Sequence, residues 1–199
     1  MKKHFSFTLV ELLGAMALIV ILAGIAFSGY SYAMNKAKES ATTSTIKQIE
    51  TALEAAKIKA GYYPASANYA VIKFIEDSSG LLGKVEFGST ELSASKNKKL
   101  FAEFKKIIDF ESIRQNLNAS GELEDSWGKQ IYYRFPGFVN SSGVDIISAG
   151  ADGFFGEVTE NEKYEKPRET LDSSKNRSTP RAYYYNSDSE RIADDISNF

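Results

Sequence analysis

The chain has 199 residues, of which 25% are charged and 43% hydrophobic, and its formal net charge is -2. This length leaves room for one long helix and one modest domain. The near balance of 24 basic and 26 acidic side chains does not favour nucleic acid binding. The sequence has no cysteine, which excludes disulfides. Its only histidine is His4, which excludes a histidine-based catalytic triad and disfavours a zinc site.

A long apolar run occupies residues 7–34, behind a short polar leader that contains Lys2 and Lys3. The run is long enough to cross a hydrocarbon core of about 30 Å as a helix. Glu11 lies near its start, where an ionised carboxylate costs about 2.5–3.5 kcal/mol unless it is paired or neutralised. The stretch therefore predicts a membrane helix in which Glu11 has a specific role.

The basic leader, the FTLVEL sequence at residues 7–12 and the apolar run together resemble the N-terminus of a type IV pilin or pseudopilin. The resemblance implies that a prepilin peptidase cuts between Ser6 and Phe7 and methylates the new amine. The family usually has glycine at the position of Ser6. Cleavage would create an ammonium on Phe7 that can pair with the Glu11 carboxylate, most simply that of a neighbouring subunit. Residues 1–6 are then a leader peptide.

Two simpler interpretations of the N-terminus are a secretory signal peptide and an ordinary signal anchor. A signal peptide fits poorly, because the apolar run is too long and no small-residue exit site follows a short core. An ordinary anchor has no need of the FTLVE sequence.

Helical periodicity continues beyond the membrane run. Small and aliphatic residues recur every three to five positions over residues 35–60, and most charged residues lie off that stripe. The pattern predicts one helix over residues 7–59, about 80 Å long, whose second half is amphipathic. Gly61 and Pro64 are typical of the end of such a helix.

The remaining residues, 61–199, are expected to form a globular domain. The predicted elements are a short helix at 68–75, a weak strand at 83–87, a helix at 100–107, and strands at 131–135, 144–148 and 181–186. The strand at 131–135 alternates and is expected to be half-buried. Trp127 is interpreted as a core or turn anchor. Residues 161–180 are polar and predict a loop or a disordered insertion.

These elements give an α+β, pilin-like fold. One long N-terminal helix, with a membrane half and an amphipathic half, is expected to pack on a small C-terminal antiparallel sheet. Residues 125–137 contain D-S-W-G followed by Y-Y, which resembles the D-P-W-G-x-x-Y-x-Y segment of the type II secretion major pseudopilin.

A candidate metal site comes from the same resemblance. The S-A-G-A-D-G sequence at residues 148–153 and the A-D-D-I sequence at 193–196 resemble segments that border a calcium site in the major pseudopilin. The resemblance implies ligands from Asp152, Asp194 and Asp195 and a backbone carbonyl near Ala149. Calcium takes six to eight oxygen ligands, which two loops can supply together. The alternative is a surface turn with an acidic C-terminal cap.

The resemblance implies a structural subunit of a type II secretion pseudopilus, and not an enzyme. Such subunits leave the inner membrane with the help of an assembly platform and minor pseudopilins, and stack into a helical homo-oligomer. The domain is expected in the periplasm, where the filament pushes proteins through the outer membrane. The alternatives are a type IV pilus subunit and a membrane-anchored periplasmic binding module or enzyme. The missing cysteines and the aspartate motifs speak against the first, and no nucleophile–base pair supports the second.

Overall fold

A long helix opens the chain in the computed structural model, which describes residues 9–156, 164–168 and 195–199. The helix, α1, spans Leu9–Ala60 without interruption, which confirms the predicted single helix. It ends where Gly61 adopts a φ of 94° and its N–H donates to the Lys57 carbonyl at 2.6 Å. The chain divides into two compact units, Met1–Ala37 and Lys38–Phe199.

The second unit contains an antiparallel sheet. Its strands lie in the order β3-β2-β1-β4-β5-β6. Their bounds are β1 Ser66–Glu76, β2 Leu82–Phe87, β3 Thr90–Ser93, β4 Tyr132–Phe135, β5 Asp145–Ser148 and β6 Ile196–Ser197. Two short helices, α2 at Lys98–Ile107 and α3 at Phe110–Arg114, connect β3 to the segment before β4. The arrangement is the predicted α+β fold, with a long N-terminal helix packed on a small sheet.

The predicted short helix at residues 68–75 is wrong, because this segment forms most of β1. Ile72 and Phe74 are buried, and the residues between and beside them are only half-buried, which is the period of two expected of a strand. Phe74 pairs with Val85 of β2, and Ala70 pairs with Tyr133 of β4, so β1 has neighbours on both sides. The tyrosine, valine, isoleucine and phenylalanine content of the segment favours a strand in this setting.

The main core lies between the sheet and the second half of α1. A stripe of α1 side chains is buried there, formed by Thr42, Ile46, Ile49, Ala52, Leu53 and Ala56. The predicted helix at 100–107 is confirmed as α2, which buries Leu100, Phe101 and Phe104. The Phe104 ring lies edge-on to Phe87, with ring centres 6.1 Å apart. Helices and sheet therefore share one apolar cluster.

The other face of the sheet is also covered. Tyr132 was expected on the open side of a half-buried strand, but it is 7% exposed and belongs to a second apolar cluster. That cluster consists of Tyr69, Tyr132, Ile147, Ala149 and Phe155, with Tyr164 and Phe199 packed against it. The prediction was wrong for Tyr132 because the covering residues lie far away in sequence.

The described part of the predicted insertion, residues 164–168, contains neither helix nor strand. The Tyr164 carbonyl accepts a hydrogen bond from the Phe155 N–H at 2.8 Å, and Pro167 is buried. This part of the loop therefore packs on the second cluster. The strand predicted at residues 181–186 lies outside the described residues.

The β2–β3 hairpin was predicted only in part, since β3 was missed. Phe87 pairs with Thr90 across a two-residue turn, in which Gly88 has a φ of 61°. Beyond β3, the Glu91 carbonyl accepts from Asn97 Nδ2 at 2.7 Å, and the Ser93 N–H donates to the Lys96 carbonyl at 2.8 Å. The loop after β3 therefore occupies backbone groups at this edge of the sheet.

Candidate functional site

The first candidate site is the apolar part of α1. Its large apolar side chains between Leu9 and Phe27 are each more than half exposed, and they lie on all sides of the helix. A helix that is apolar all round belongs in a core or in a membrane. Within the described residues, α1 is the one helix long and apolar enough to cross a membrane, with a mean hydropathy of 2.5 over its best window.

Glu11 lies in the first turn of the described helix and is exposed, with Val10 and Leu12 beside it also exposed. The Glu11 carboxylate therefore lies among the exposed apolar side chains at the start of α1. Ser6 and Phe7 are outside the described residues. The predicted cleavage and the pairing of the Phe7 amine with Glu11 therefore stay predictions.

A long N-terminal helix that packs its second half on a small antiparallel sheet is consistent with a pilin-like α+β fold. Residues 1–27 match the prokaryotic N-terminal methylation motif, which is the prepilin signature of type IV pilin-like proteins. The match includes Ser6, Phe7 and Glu11. Comparisons with curated proteins and with solved structures found no match.

The second candidate site is the loop after β5. The Ser148 hydroxyl donates to Asp125 Oδ2 and accepts from the Gly150 N–H at 3.1 Å. Gly150 and Gly153 adopt positive φ angles of 68° and 75°, which glycine accepts without strain. Asp152, between them, is exposed, and its Oδ1 accepts from the Phe154 N–H at 2.8 Å.

The C-terminal segment meets this loop through Asp195. Its side chain is 1% exposed, and its Oδ2 accepts from the Gly156 N–H at 2.8 Å. Ala149 is equally buried. Asp194 lies outside the described residues. The structure thus brings the C-terminal segment, through Asp195, to Gly156, which lies just beyond the predicted loop at 148–153.

The donor set described at this site is smaller than calcium requires. In the described ranges, no group of three or more aspartate, glutamate, histidine or cysteine residues is placed to hold a metal. The side chain of Lys129 also lies over Gly153, where a Cβ would stand 2.7 Å from Lys129 Cε. An ammonium over Gly153, the residue that follows Asp152, would disfavour a cation bound to this loop. Calcium binding therefore stays a prediction that needs Asp194 and backbone carbonyls to complete the shell.

Two buried aspartates hold the loops around these sites, and sequence reasoning missed their role. Asp125 Oδ1 accepts from the N–H groups of Trp127 at 2.8 Å and Lys129 at 2.9 Å, while its Oδ2 accepts from Ser148. Trp127 packs against the main core, which confirms it as a turn anchor. An aspartate at the first position of a turn, where its side chain can accept from the N–H two residues on, is the available sequence signal.

Asp145, at the start of β5, is the second of these aspartates. It is fully buried and accepts three hydrogen bonds, from the Tyr69 hydroxyl at 2.7 Å and from the N–H groups of Val139 and Asn140 at 2.8 and 2.9 Å. A Cβ at Gly137 would lie 2.4 Å from Asp145 Oδ1. This carboxylate therefore organises the loop between β4 and β5, and a glycine at 137 gives it room.

Proposed function

We propose that the chain is a structural subunit of a type II secretion pseudopilus. The observation that carries the proposal is the prepilin-type methylation motif at residues 1–27, whose apolar part belongs to one helix, Leu9–Ala60, the second half of which packs on a small antiparallel sheet. On this proposal, prepilin peptidase cuts between Ser6 and Phe7 while the domain faces the periplasm. The processed subunits then leave the inner membrane and stack through their apolar helices.

Three sequence features favour a pseudopilus over a type IV pilus. The chain has no cysteine, whereas many pilus-forming pilins close their C-terminal region with a disulfide. The D-S-W-G turn is similar to the major pseudopilin segment, and its aspartate fixes the loop that carries Asp152. The paired aspartates at 194 and 195 follow in the expected order.

A filament subunit also accounts for the distribution of apolar surface. The exposed side chains of residues 9–27 need a hydrocarbon or protein environment, because apolar surface in water is costly at about 25 cal/mol per Å². A membrane satisfies them before assembly, and neighbouring helices satisfy them in the filament. Minor pseudopilins and the inner-membrane assembly platform are the partners that this function requires.

Calcium is part of the proposal. Asp152, Asp194, Asp195 and a carbonyl near Ala149 would hold the ion, and calcium would supply a cross-link between the loop after β5 and the C-terminal segment. The hydrogen bond between Asp195 and Gly156 already brings those two segments together. Metal bound there would stabilise the segment that a disulfide stabilises in other pilins.

The test is deletion of the gene in its own host, followed by two measurements: export of secreted proteins and electron microscopy of surface filaments. A pseudopilus subunit predicts loss of export with surface pili unchanged. Loss of surface pili with normal export would identify a type IV pilus subunit. If neither changes, the assembly function is rejected in favour of a membrane-anchored binding module or enzyme.

A further inference from the structure

A cavity of about 330 Å³ opens beside the second apolar cluster. Its wall is built from three separate parts of the chain: the turn before β4, the loop after β5 and the segment 164–168. Two lysines, Lys129 and Lys166, line it, and it is called the lysine-lined cavity below. A concave site assembled from distant segments, with a few polar groups over an aromatic wall, is the usual form of a binding site.

The two lysines are the unusual feature of this cavity. Among the described residues, neither Lys129 nor Lys166 takes part in a salt bridge or a side-chain hydrogen bond. Glu165 also lines the cavity, yet it forms no ion pair with either lysine. Two ammonium groups at one concave site raise the local positive potential, since none of the carboxylates that the structure describes lies within ion-pair distance of either one.

Lys129 is held in place by packing. Its side chain crosses the backbone of Gly153, where a Cβ would stand 2.7 Å from Cε and 3.2 Å from Nζ. Gly153 has a φ of 75°, a conformation that also disfavours other residues there. The lysine is therefore directed along the cavity wall by a glycine on the facing loop.

Three aromatic residues also line the cavity. The rings of Tyr132 and Phe155 stand edge to face with their centres 5.5 Å apart, and Phe154 lies beside them. Burial raises the pKa of Tyr132, and the charges of Glu122 and Glu165 raise it further. The hydroxyl of Tyr132 therefore stays protonated at neutral pH, and it donates a hydrogen bond to Gln130 Oε1 at 3.4 Å.

We propose that the lysine-lined cavity binds an acidic side chain followed by an aromatic one, presented by a peptide segment of a partner protein. The two ammonium groups match a carboxylate, for which charge-assisted hydrogen bonds are about twice as strong as neutral ones. The aromatic wall provides contact area for the neighbouring ring. At about 330 Å³ the cavity is near the lower end of ligand pockets, which suits one or two side chains. This inference depends neither on filament assembly nor on calcium.

The sole tryptophan reports on this site, because Trp127 lies two positions before Lys129 in the turn held by Asp125. Full-length protein in detergent with EDTA is titrated with the probe acetyl-Asp-Phe-amide while the emission of Trp127 is recorded. A saturable change is expected. The matched probe acetyl-Asn-Phe-amide, which lacks the charge, should bind at least tenfold more weakly, and acetate alone should give no saturation in the same range.

Single variants assign the signal to the cavity. Lys129→Gln and Lys166→Gln should each weaken binding of the acidic probe at least fivefold. Lys98→Gln, which changes an exposed lysine of α2, should not alter it. Unchanged melting temperatures would show that the variants fold. The proposal is overturned by equal affinity for the two peptides, by full affinity in both cavity variants, by acetate saturating the signal as well as the peptide, or by no saturable change.

Discussion

Asn198 Nδ2 donates a hydrogen bond to Glu50 Oε1 at 3.0 Å, which joins the C-terminal segment to α1 across 148 sequence positions. The same amide nitrogen donates to the Val144 carbonyl at 3.1 Å, and Asn198 Oδ1 accepts from the Ile146 N–H at 2.7 Å. Ile196, two residues earlier, is 2% exposed in the main core. Residues 195–199 are therefore an integral part of the domain.

Replacement of Asn198 by alanine should lower the free energy of unfolding by about 1–3 kcal/mol, because the Ile146 N–H loses its acceptor in a partly buried site. Denaturant unfolding of the full chain in detergent, followed by tryptophan fluorescence, measures this. Asn68→Ala, at an exposed position, is the control and should change stability by less than about 0.5 kcal/mol. Equal stability of the two variants would contradict the role assigned to Asn198.

Glu122 should contribute to acid sensitivity. Its carboxylate accepts from Asn118 and Gln130 at 3.0 Å each and lies 3.8 Å from Lys73 Nζ. Those hydrogen bonds, with Lys73 assisting, hold the pKa of Glu122 below its ordinary 4.5. Since the folded-state pKa is the lower one, the stabilisation is present above pH 4.5 and is lost as pH falls through the folded value.

The measurement for Glu122 is the unfolding free energy of Glu122→Gln and of the unmodified chain between about pH 6 and pH 3. The variant should be less stable at the upper end, and the difference should shrink towards the lower end. Glu111→Gln, which alters a side chain that is 72% exposed, should follow the unmodified chain throughout. A constant difference for Glu122→Gln across the range would show that its effect does not come from titration.

Processing should remove residues 1–6. The methylation motif predicts a mature chain that starts at Phe7 with a methylated amine. Mass spectrometry of the protein extracted from membranes of its own host measures both features. A chain that retains Met1, or one cut beyond the apolar run, would rule out prepilin-type maturation.

Glu11→Ala should leave membrane insertion intact or improve it, yet block filament formation. The reason is electrostatic: without the carboxylate, the new ammonium on Phe7 would be buried in the assembled filament without a partner. Membrane fractionation and electron microscopy separate the two effects. Glu111→Ala, which removes an exposed carboxylate of the domain, is the matched control and should assemble normally. Normal filaments from Glu11→Ala would remove Glu11 from its proposed role.

Calcium should raise the melting temperature of the protein. At a hundredfold excess over Kd, binding to the folded state adds about 2.7 kcal/mol, which is several degrees for a domain of this size. EDTA should lower the midpoint, calcium should restore it, and magnesium should restore less because it requires a tighter octahedral shell. Asp152→Ala and Asp194→Ala should each abolish the response.

Asp195 requires separate treatment in that experiment, because its carboxylate already accepts a hydrogen bond from Gly156. Asp195 is 1% exposed, so Asp195→Ala should lower the melting temperature even in EDTA. Asp152 is exposed, so the loss of its hydrogen bond to the Phe154 N–H should lower the melting temperature much less. If neither EDTA nor calcium changes the melting temperature, the protein does not bind calcium at this site. Asp152 and Asp194 would then belong only to a surface turn and an acidic C-terminal tail.

Periodicity and turn residues were sufficient to predict the elements that rest on local pattern. The helix Leu9–Ala60 was predictable from its apolar repeat, and its end was predictable from Gly61 and Pro64. The prediction of a helix at 68–75 was wrong because a short apolar run fits both the helical period and the strand period. Only the pairing of this segment with β2 and β4 decides for a strand. The two-residue strand β6 depends on β5, which is distant in sequence.

The candidate sites were predictable to different extents. The N-terminal motif is contiguous, so its residues could be named from the sequence alone. The contact between Asp195 and Gly156 spans 39 positions, and the order of the two motifs was the only sequence signal for it. The lysine-lined cavity gave no sequence signal, because its walls come from segments that are distant in sequence.

The loop after β3 forms hydrogen bonds with β3, the edge strand of the sheet, and these bonds affect how the domain behaves when many copies are close together. In β3, alternate residues direct their backbone groups away from β2, and Glu91 and Ser93 occupy those positions. The Glu91 carbonyl accepts a hydrogen bond from the side-chain amide of Asn97, and the Ser93 N–H donates to the Lys96 carbonyl. A strand from another molecule finds these groups already bonded, so the edge is a poor template for cross-β aggregation. Domains crowded on a common surface can thus touch without their sheets merging.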